Sequence, residues 1–309
     1  MLHIKDLHEK IIYCTVLVRT EKAGGSGTVI ASIEHDDEWL SYILTNYHVI
    51  DDAVSKAKKW DPNVGREIET EVRAPVDIGF YRYRRMSVLD RTDSRRADIV
   101  AYDKPGDVAL LEMVSGAPPE YIATMLPRDQ IKDLRMGMGL IACGCSMGHK
   151  PLLSPQGMLS SLDERIENLH YWMSSTSIIF GNSGGGMYLR DSGQYIGIPS
   201  RLDVAAMGFS AQALPFLNYF IPIPRLYDLL DDWEYQFIYD PEQSYAECAK
   251  RRKEKQDELQ RAWERRWRRE RELAQGGGVA DNEPTEETHA VTDEYLKSLR
   301  NYRRPSSTN

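Results

Sequence analysis

Ser183 sits in the run SIIFGNSGGGMY, residues 177–188, with Gly181 before it and Gly184, Gly185 and Gly186 after it. Nearly every side chain around one hydroxyl has been removed. Two physical causes compete for that pattern. Glycine is the default where a chain turns sharply or takes a positive φ, so the run reads as a plain surface turn. It reads equally as backbone that must approach another molecule, aim N–H groups at a developing negative charge and present a nucleophile. A serine hydroxyl is a poor nucleophile at neutral pH. It needs a base within hydrogen-bond reach and a third group to orient that base.

Seven histidines are available as the base. His3 and His8 lie near the start, His35 in the acidic turn EHDDE, His149 in the turn MGHKP, His170 in a strand pattern and His289 near the end. His48 differs, because it ends the apolar run YILTNYHVI and precedes a segment of helical composition. A junction of that kind is rigid and suits a general base, although a structural histidine fits there too. For the orienting acid, ADIVAYDKPGDVALLEM offers Asp98, Asp103 and Asp107. Asp98 looks like the start of a strand and Asp103 like a turn before Pro105. Asp107 opens an apolar run whose burial would hold its carboxylate at the edge of the core, although capping a strand is a plain alternative for any of the three. The run GNSGG also satisfies G-x-S-x-G, the nucleophile elbow of α/β-hydrolases, in which acid and histidine follow the serine. Only His289 follows Ser183, in a polar segment, and the alternation of strands and helices which that fold needs is missing.

The order His48, Asp107, Ser183 in a β-rich chain is the order of chymotrypsin-like enzymes. The motifs GGSGTVI, LTNYHVI, GDVALLEM, GNSGGGMY and YIGI resemble those of trypsin-like serine peptidases, nearest to the bacterial HtrA/Deg type, over roughly residues 10–230. The resemblance implies an all-β fold of two antiparallel six-stranded barrels. It implies His48 as general base and then acid, Asp107 as its orienter and Ser183 as nucleophile. The N–H groups of Gly181 and Ser183 would form the oxyanion hole. It places the primary specificity pocket on Ser177, Ile178, Ile179 and Phe180, on Ile198, Pro199 and Ser200, and on Tyr219 and Phe220. None of these is acidic, so cleavage after small or medium apolar residues is expected. Asn182 stands where zymogen-activated relatives carry an aspartate, so no ion pair with a newly cut N-terminus can form. Gly186 replaces a proline common at that place. No PDZ-like domain is expected in the residues after the peptidase-like part, which are too charged and too few for one. The alternative is a catalytically silent scaffold of the same fold acting through its C-terminal helix, against which the filled triad positions count.

The elements that would position these groups are short strands rich in β-branched and aromatic residues, separated by turns, from about residue 10 to 223. Two short helices are expected there, one after His48 (VIDDAVSKAKKW) and one after Pro224 (RLYDLLDDW). The peptidase-like part spans residues 1–233, with the barrels meeting near 115–135. Residues 234–275 are dense in Lys, Arg, Glu and Gln and predict a charged helix, on which Leu259, Trp263 and Trp267 recur on one face. Gly276, Gly277 and Gly278 end it, and 276–309 reads as a flexible tail.

Bulk composition narrows the classes. The chain has 309 residues, 41% hydrophobic and 28% charged, with a net charge of −8. That charge argues against nucleic-acid binding by the molecule as a whole and leaves only the basic stretch of the C-terminal helix for it. The expected partners are a protein or peptide substrate and, through the 242–275 helix, a second copy or another protein. No apolar run approaches the roughly 20 residues that span a bilayer, and MLHIKDLHEKIIYC lacks the pattern of a secretory leader. No membrane contact is therefore expected, and a cytoplasmic location is. Cys14, Cys143, Cys145 and Cys248 show no C-x-x-C spacing, so buried free thiols are expected and no metal site. No cofactor is expected.

Overall fold

The computed structural model describes residues 2–61, 66–207 and 210–275. In chain order the strands are β1 (Thr15–Arg19), β2 (Gly24–His35), β3 (Glu38–Thr45), β4 (Val54–Asp61), β5 (Arg66–Arg73), β6 (Val76–Arg85), β7 (Val88–Asp103) and β8 (Val108–Ser115). They continue with β9 (Gly139–Gly144), β10 (Leu152–Leu153), β11 (Gly157–Ile166), β12 (Leu169–Ser174), β13 (Gly186–Leu189), β14 (Tyr195–Met207) and β15 (Ser210–Pro222). The α-helices are α1 (Ile4–Leu7), α2 (Ile223–Asp232) and α3 (Tyr245–Gln275). Two compact units result, one from residues 1–53 and 74–232, the other from 54–73 and the chain from 233 onward.

The first unit holds one closed six-stranded barrel and, where the sequence predicts a second six-stranded barrel, a seven-stranded sheet. The barrel is closed in the order β1-β2-β3-β8-β7-β6. The sheet runs in the order β10-β9-β11-β12-β15-β14-β13, and an additional pairing of β13 with β9 brings it round on itself. Closure removes unpaired sheet edges. Val16, Val18, Val29, Ile43 and Leu44 are buried in the barrel, and Ile141, Tyr188, Ile196 and Phe220 in the sheet. Residues 116–138, between β8 and β9, include the expected place for the barrels to meet, and α2 forms where LYDLL puts Leu226, Tyr227, Leu229 and Leu230 into the core. All four cysteines are buried free thiols.

The helix expected after His48 is not there. The chain makes two short turns of 3-10 helix, Tyr47–Val49 and Asp51–Ala53, and then enters the hairpin β4–β5. The lysine-rich strand lies against a glutamate-rich one, with Lys56 opposite Glu71 and Lys58 opposite Glu69. Lys56 also pairs diagonally with Glu69 at 3.6 Å. Cross-strand charge pairs of this kind stabilise a sheet, and here the partner strand overrides weak helical propensity.

The second unit contains this hairpin and the expected C-terminal helix. Ser244 and Glu247 cap α3 reciprocally: the Glu247 N–H donates to Ser244 Oγ at 3.2 Å, and its carboxylate accepts from the Ser244 N–H at 3.3 Å. Arg251 holds Glu234 at 2.8 Å, and the Arg252 guanidinium lies 4.2 Å from the Tyr235 ring centre. Leu259 and Trp263 are half-buried. The Trp267 side chain and the tail 276–309 lie outside the described residues. Among the described residues no helix is long and apolar enough to cross a membrane.

Candidate active site

β3 ends at Thr45, and Asn46 leads in extended conformation into the turn Tyr47–Val49. Tyr47 and Val49 are buried on either side of His48, whose side chain is left 47% exposed. Two anchors thus turn one imidazole outward. Its Nδ1 lies 3.0 Å from both carboxylate oxygens of Asp107.

Asp107 precedes β8 in a left-handed conformation, φ 57°. Its carboxylate is held on several sides. Oδ1 also accepts the His48 backbone N–H at 3.0 Å. Oδ2 accepts from Asn46 Nδ2 at 3.1 Å and from Ser200 Oγ at 2.9 Å. Burial pushes the carboxyl pKa up, but hydrogen bonds from His48 and Ser200 and the attraction of His48 outweigh it, and the net shift is downward. An acid so held stays ionised while it faces an imidazole. The turn ahead of it is pinned by Arg225 of α2, which donates to Gly106 O at 2.6 Å and His170 O at 3.0 Å and lies over the Tyr171 ring at 4.9 Å.

Ser183 lies on the turn before β13. The Ser183 carbonyl accepts the Ser26 N–H at 2.8 Å, and the next N–H, of Gly184, donates to Asn46 Oδ1 at 2.6 Å. The carboxamide of Asn46, fully buried, therefore joins the acid to the nucleophile turn. Ser26 Oγ donates to Gly181 O at 2.6 Å and accepts from the Cys145 N–H at 2.7 Å. Among the described residues no hydrogen bond joins Ser183 Oγ to His48, and none engages the N–H groups of Gly181 and Ser183.

The glycines have physical causes. Gly181 takes φ 93°, and a Cβ there would fall 2.5 Å from Met147 N and 2.7 Å from Cys145 O. Gly184 takes φ 82°, and its Cβ would fall 2.0 Å from Ser26 O. Asn182 is buried and satisfied by neutral hydroxyls: Ser146 donates to its Oδ1, and its Nδ2 donates to Ser154 Oγ at 3.1 Å. No ammonium is needed to hold this turn.

The expected pocket residues divide. Ile179 and Phe180 are 49% and 77% exposed beside the nucleophile turn. Ser177 and Tyr219 are half-buried, with the Tyr219 ring 6.5 Å from that of Tyr171. Ile178, Ile198, Pro199 and Phe220 are buried, and the Phe220 ring packs edge-on against Trp172 at 5.9 Å. The side chains of Ile198 and Phe220 are core, not surface. The Ser200 hydroxyl is committed to Asp107. Sequence reasoning gave no role to Asn46, Ser26 or Arg225. Asn46 and Ser26 lie inside the quoted motifs LTNYHVI and GGSGTVI, whereas Arg225 carries no local signal.

Residues 25–198 match the family model of the trypsin-like peptidase domain. The chain belongs to that family, and with its fold this defines its class, the serine endopeptidases. Among solved structures it is similar to an HtrA-type protease, AlgW, with a tripeptide, at 18% identity and a TM-score of 0.52, covering 78% of this chain and 65% of that one. It is also similar to the serine endoprotease from Yersinia pestis, at 17% identity and a TM-score of 0.50, covering 75% of this chain and 66% of that one. These likenesses bear on the fold, and the chain spans about two thirds of the length of both structures. No curated protein matches the sequence.

Proposed function

We propose that the chain hydrolyses peptide bonds through His48, Asp107 and Ser183, by way of an acyl-enzyme on Ser183. The observation that carries this is the grip of His48, Asn46 and Ser200 on the Asp107 carboxylate, with His48 Nδ1 3.0 Å away. With Nδ1–H engaged by the acid, the imidazole keeps Nε2 as its basic nitrogen. In the reaction Ser183 Oγ attacks the carbonyl carbon while Nε2 takes its proton. The tetrahedral oxyanion is met by the N–H groups of Gly181 and Ser183, which have no partner among the described residues. The imidazolium then protonates the departing amine. Water repeats the sequence on the ester and releases the acid product. Each oxyanion donor contributes about 3 kcal/mol in the transition state.

The preference assigned is for small or medium apolar side chains before the scissile bond, because Ser177, Ile179 and Phe180 offer no carboxylate to a lysine or arginine. A fluorophosphonate probe tests the mechanism. It labels wild type on Ser183, seen by mass spectrometry of the peptide, and leaves Ser183→Ala unmodified. A wild type that takes no label supports the silent scaffold instead. Esters of Val, Ala and Leu are cleaved faster than those of Lys and Arg; the reverse order defeats the preference.

A further inference from the structure

The hairpin of β6 and β7 carries a cavity of about 250 Å³ in the first barrel, outside the triad. Its apolar wall is aromatic: Tyr13 lies 5.1 Å from Tyr83 and 4.9 Å from Tyr121, ring centre to ring centre, and Phe80 closes one side. Its rim is cationic. Arg82 is neutralised by Asp93 at 3.1 Å and Glu120 at 3.7 Å. Arg84, Arg85 and Arg95 also line the cavity, and among the described residues none of them makes an ion pair with an acid. Arg95 instead lies over the Phe80 ring at 5.6 Å.

Lone surface arginines are ordinary. Three unneutralised ones around one concavity, in a chain of net charge −8, are not an average surface. The strand is also irregular here, with register shifts between Arg82 and Tyr83 and between Tyr83 and Arg85. Such bulges re-aim side chains. The Tyr83 hydroxyl is buried without a hydrogen-bond partner. Burial raises its pKa, so it remains a neutral donor.

The cavity is linked to the candidate active site. Tyr81 at its edge donates to His149 O at 3.2 Å. His149 ends the turn whose Met147 N–H bonds to Phe180 O at 2.9 Å, next to Gly181. One loop thus separates the cationic cavity from the nucleophile turn.

We propose that this cavity is an exosite for an acidic peptide segment of the protein substrate, with carboxylates on Arg84, Arg85 and Arg95 and an apolar or aromatic side chain against Phe80 and Tyr83. As a substrate site it rests on the peptidase reading above, so binding is measured apart from catalysis. A fluorescein-labelled hexaglutamate peptide is titrated by anisotropy onto the full chain carrying Ser183→Ala. Binding is expected, weakening with salt, and the matching hexaglutamine peptide is expected to stay free. Adding Arg84→Ala, Arg85→Ala and Arg95→Ala weakens the affinity by about tenfold or more, and lysine at all three positions restores most of it.

In wild type, a cleavable peptide extended by glutamates is turned over with a lower KM than its glutamine counterpart. The triple alanine variant removes that advantage and leaves a short peptide unaffected. Unchanged hexaglutamate affinity in the alanine variant overturns the exosite, as does equal binding of the glutamine peptide. Arginine-dependent binding of a single-stranded oligonucleotide that hexaglutamate fails to displace overturns it in favour of nucleic acid. Arginine-dependent peptide binding with no cleavage of any peptide keeps the site and defeats the peptidase reading.

Discussion

Asp107 and the turn of Ser183 face the same chemistry and are held in opposite ways. Around the proposed acid, donors crowd in: His48 through ring and backbone, Asn46 and Ser200 all reach one half-buried carboxylate. Around the proposed nucleophile, carbonyls are tied down while the N–H groups of Gly181 and Ser183 stay without partners among the described residues. The contrast follows from charge. In the reaction proposed here Asp107 carries its charge before, during and after the chemistry, so permanent donors can satisfy it. The charge beside Ser183 exists only while a substrate is in transit, and donors committed beforehand could not stabilise it.

The sharpest test of this contrast is to remove the nucleophile. Ser183→Ala lowers kcat on a peptide ester by about a millionfold without lowering the thermal midpoint, measured by stopped assay and melting curve. Next is Asp107→Asn, which keeps the shape and loses the charge; kcat falls by about 10⁴. This variant also carries a pH signature. The Asp107 pKa is depressed in the folded chain, so its contribution to stability is present above the ordinary carboxylate value and is lost as pH falls through the folded one. Urea unfolding should therefore show a stability gap between wild type and Asp107→Asn at neutral pH that shrinks by about pH 3. A gap that does not change with pH would mean the carboxylate is not held as described.

Gly181→Ala probes the other side. The positive φ and the approach of Met147 N and Cys145 O force the peptide to move, and kcat falls by about 10²–10³ while substrate binding changes little. Asn46→Ala cuts the tie between the two sides. It leaves the Gly184 N–H and one Asp107 oxygen each short of a partner, which costs about 1–3 kcal/mol in stability and lowers kcat with it. Smallest is Arg225→Met, which frees the turn before Asp107. The expected loss is about threefold to tenfold in kcat/KM, with Arg225→Lys recovering part of it.

Much of the proposed site was legible because the chemistry proposed for it dictates residue types. A base, an acid and a hydroxyl must be present, and the glycines around Ser183 mark backbone that side chains would obstruct. Sequence order then separated the barrel fold from the hydrolase elbow. Asn46 and Ser26 were not legible, since amides and hydroxyls are common and only their distant partners give them a role. The hairpin after His48 was misread for a related reason: VSKAKKW has helical composition, and only Arg66–Arg73 lying against it makes it a strand.

The sequence by itself determined which groups could react, the β-rich character of the chain before 223 and the helix after it, because spacing, propensity and charge are local properties. The tertiary structure alone decided that Asn46 links Asp107 to the turn of Ser183, that Ser200 spends its hydroxyl on the acid, and that arginines of β6 and β7 gather round one cavity. Those outcomes depend on contacts between residues far apart in the chain, and such contacts exist only once the chain has folded.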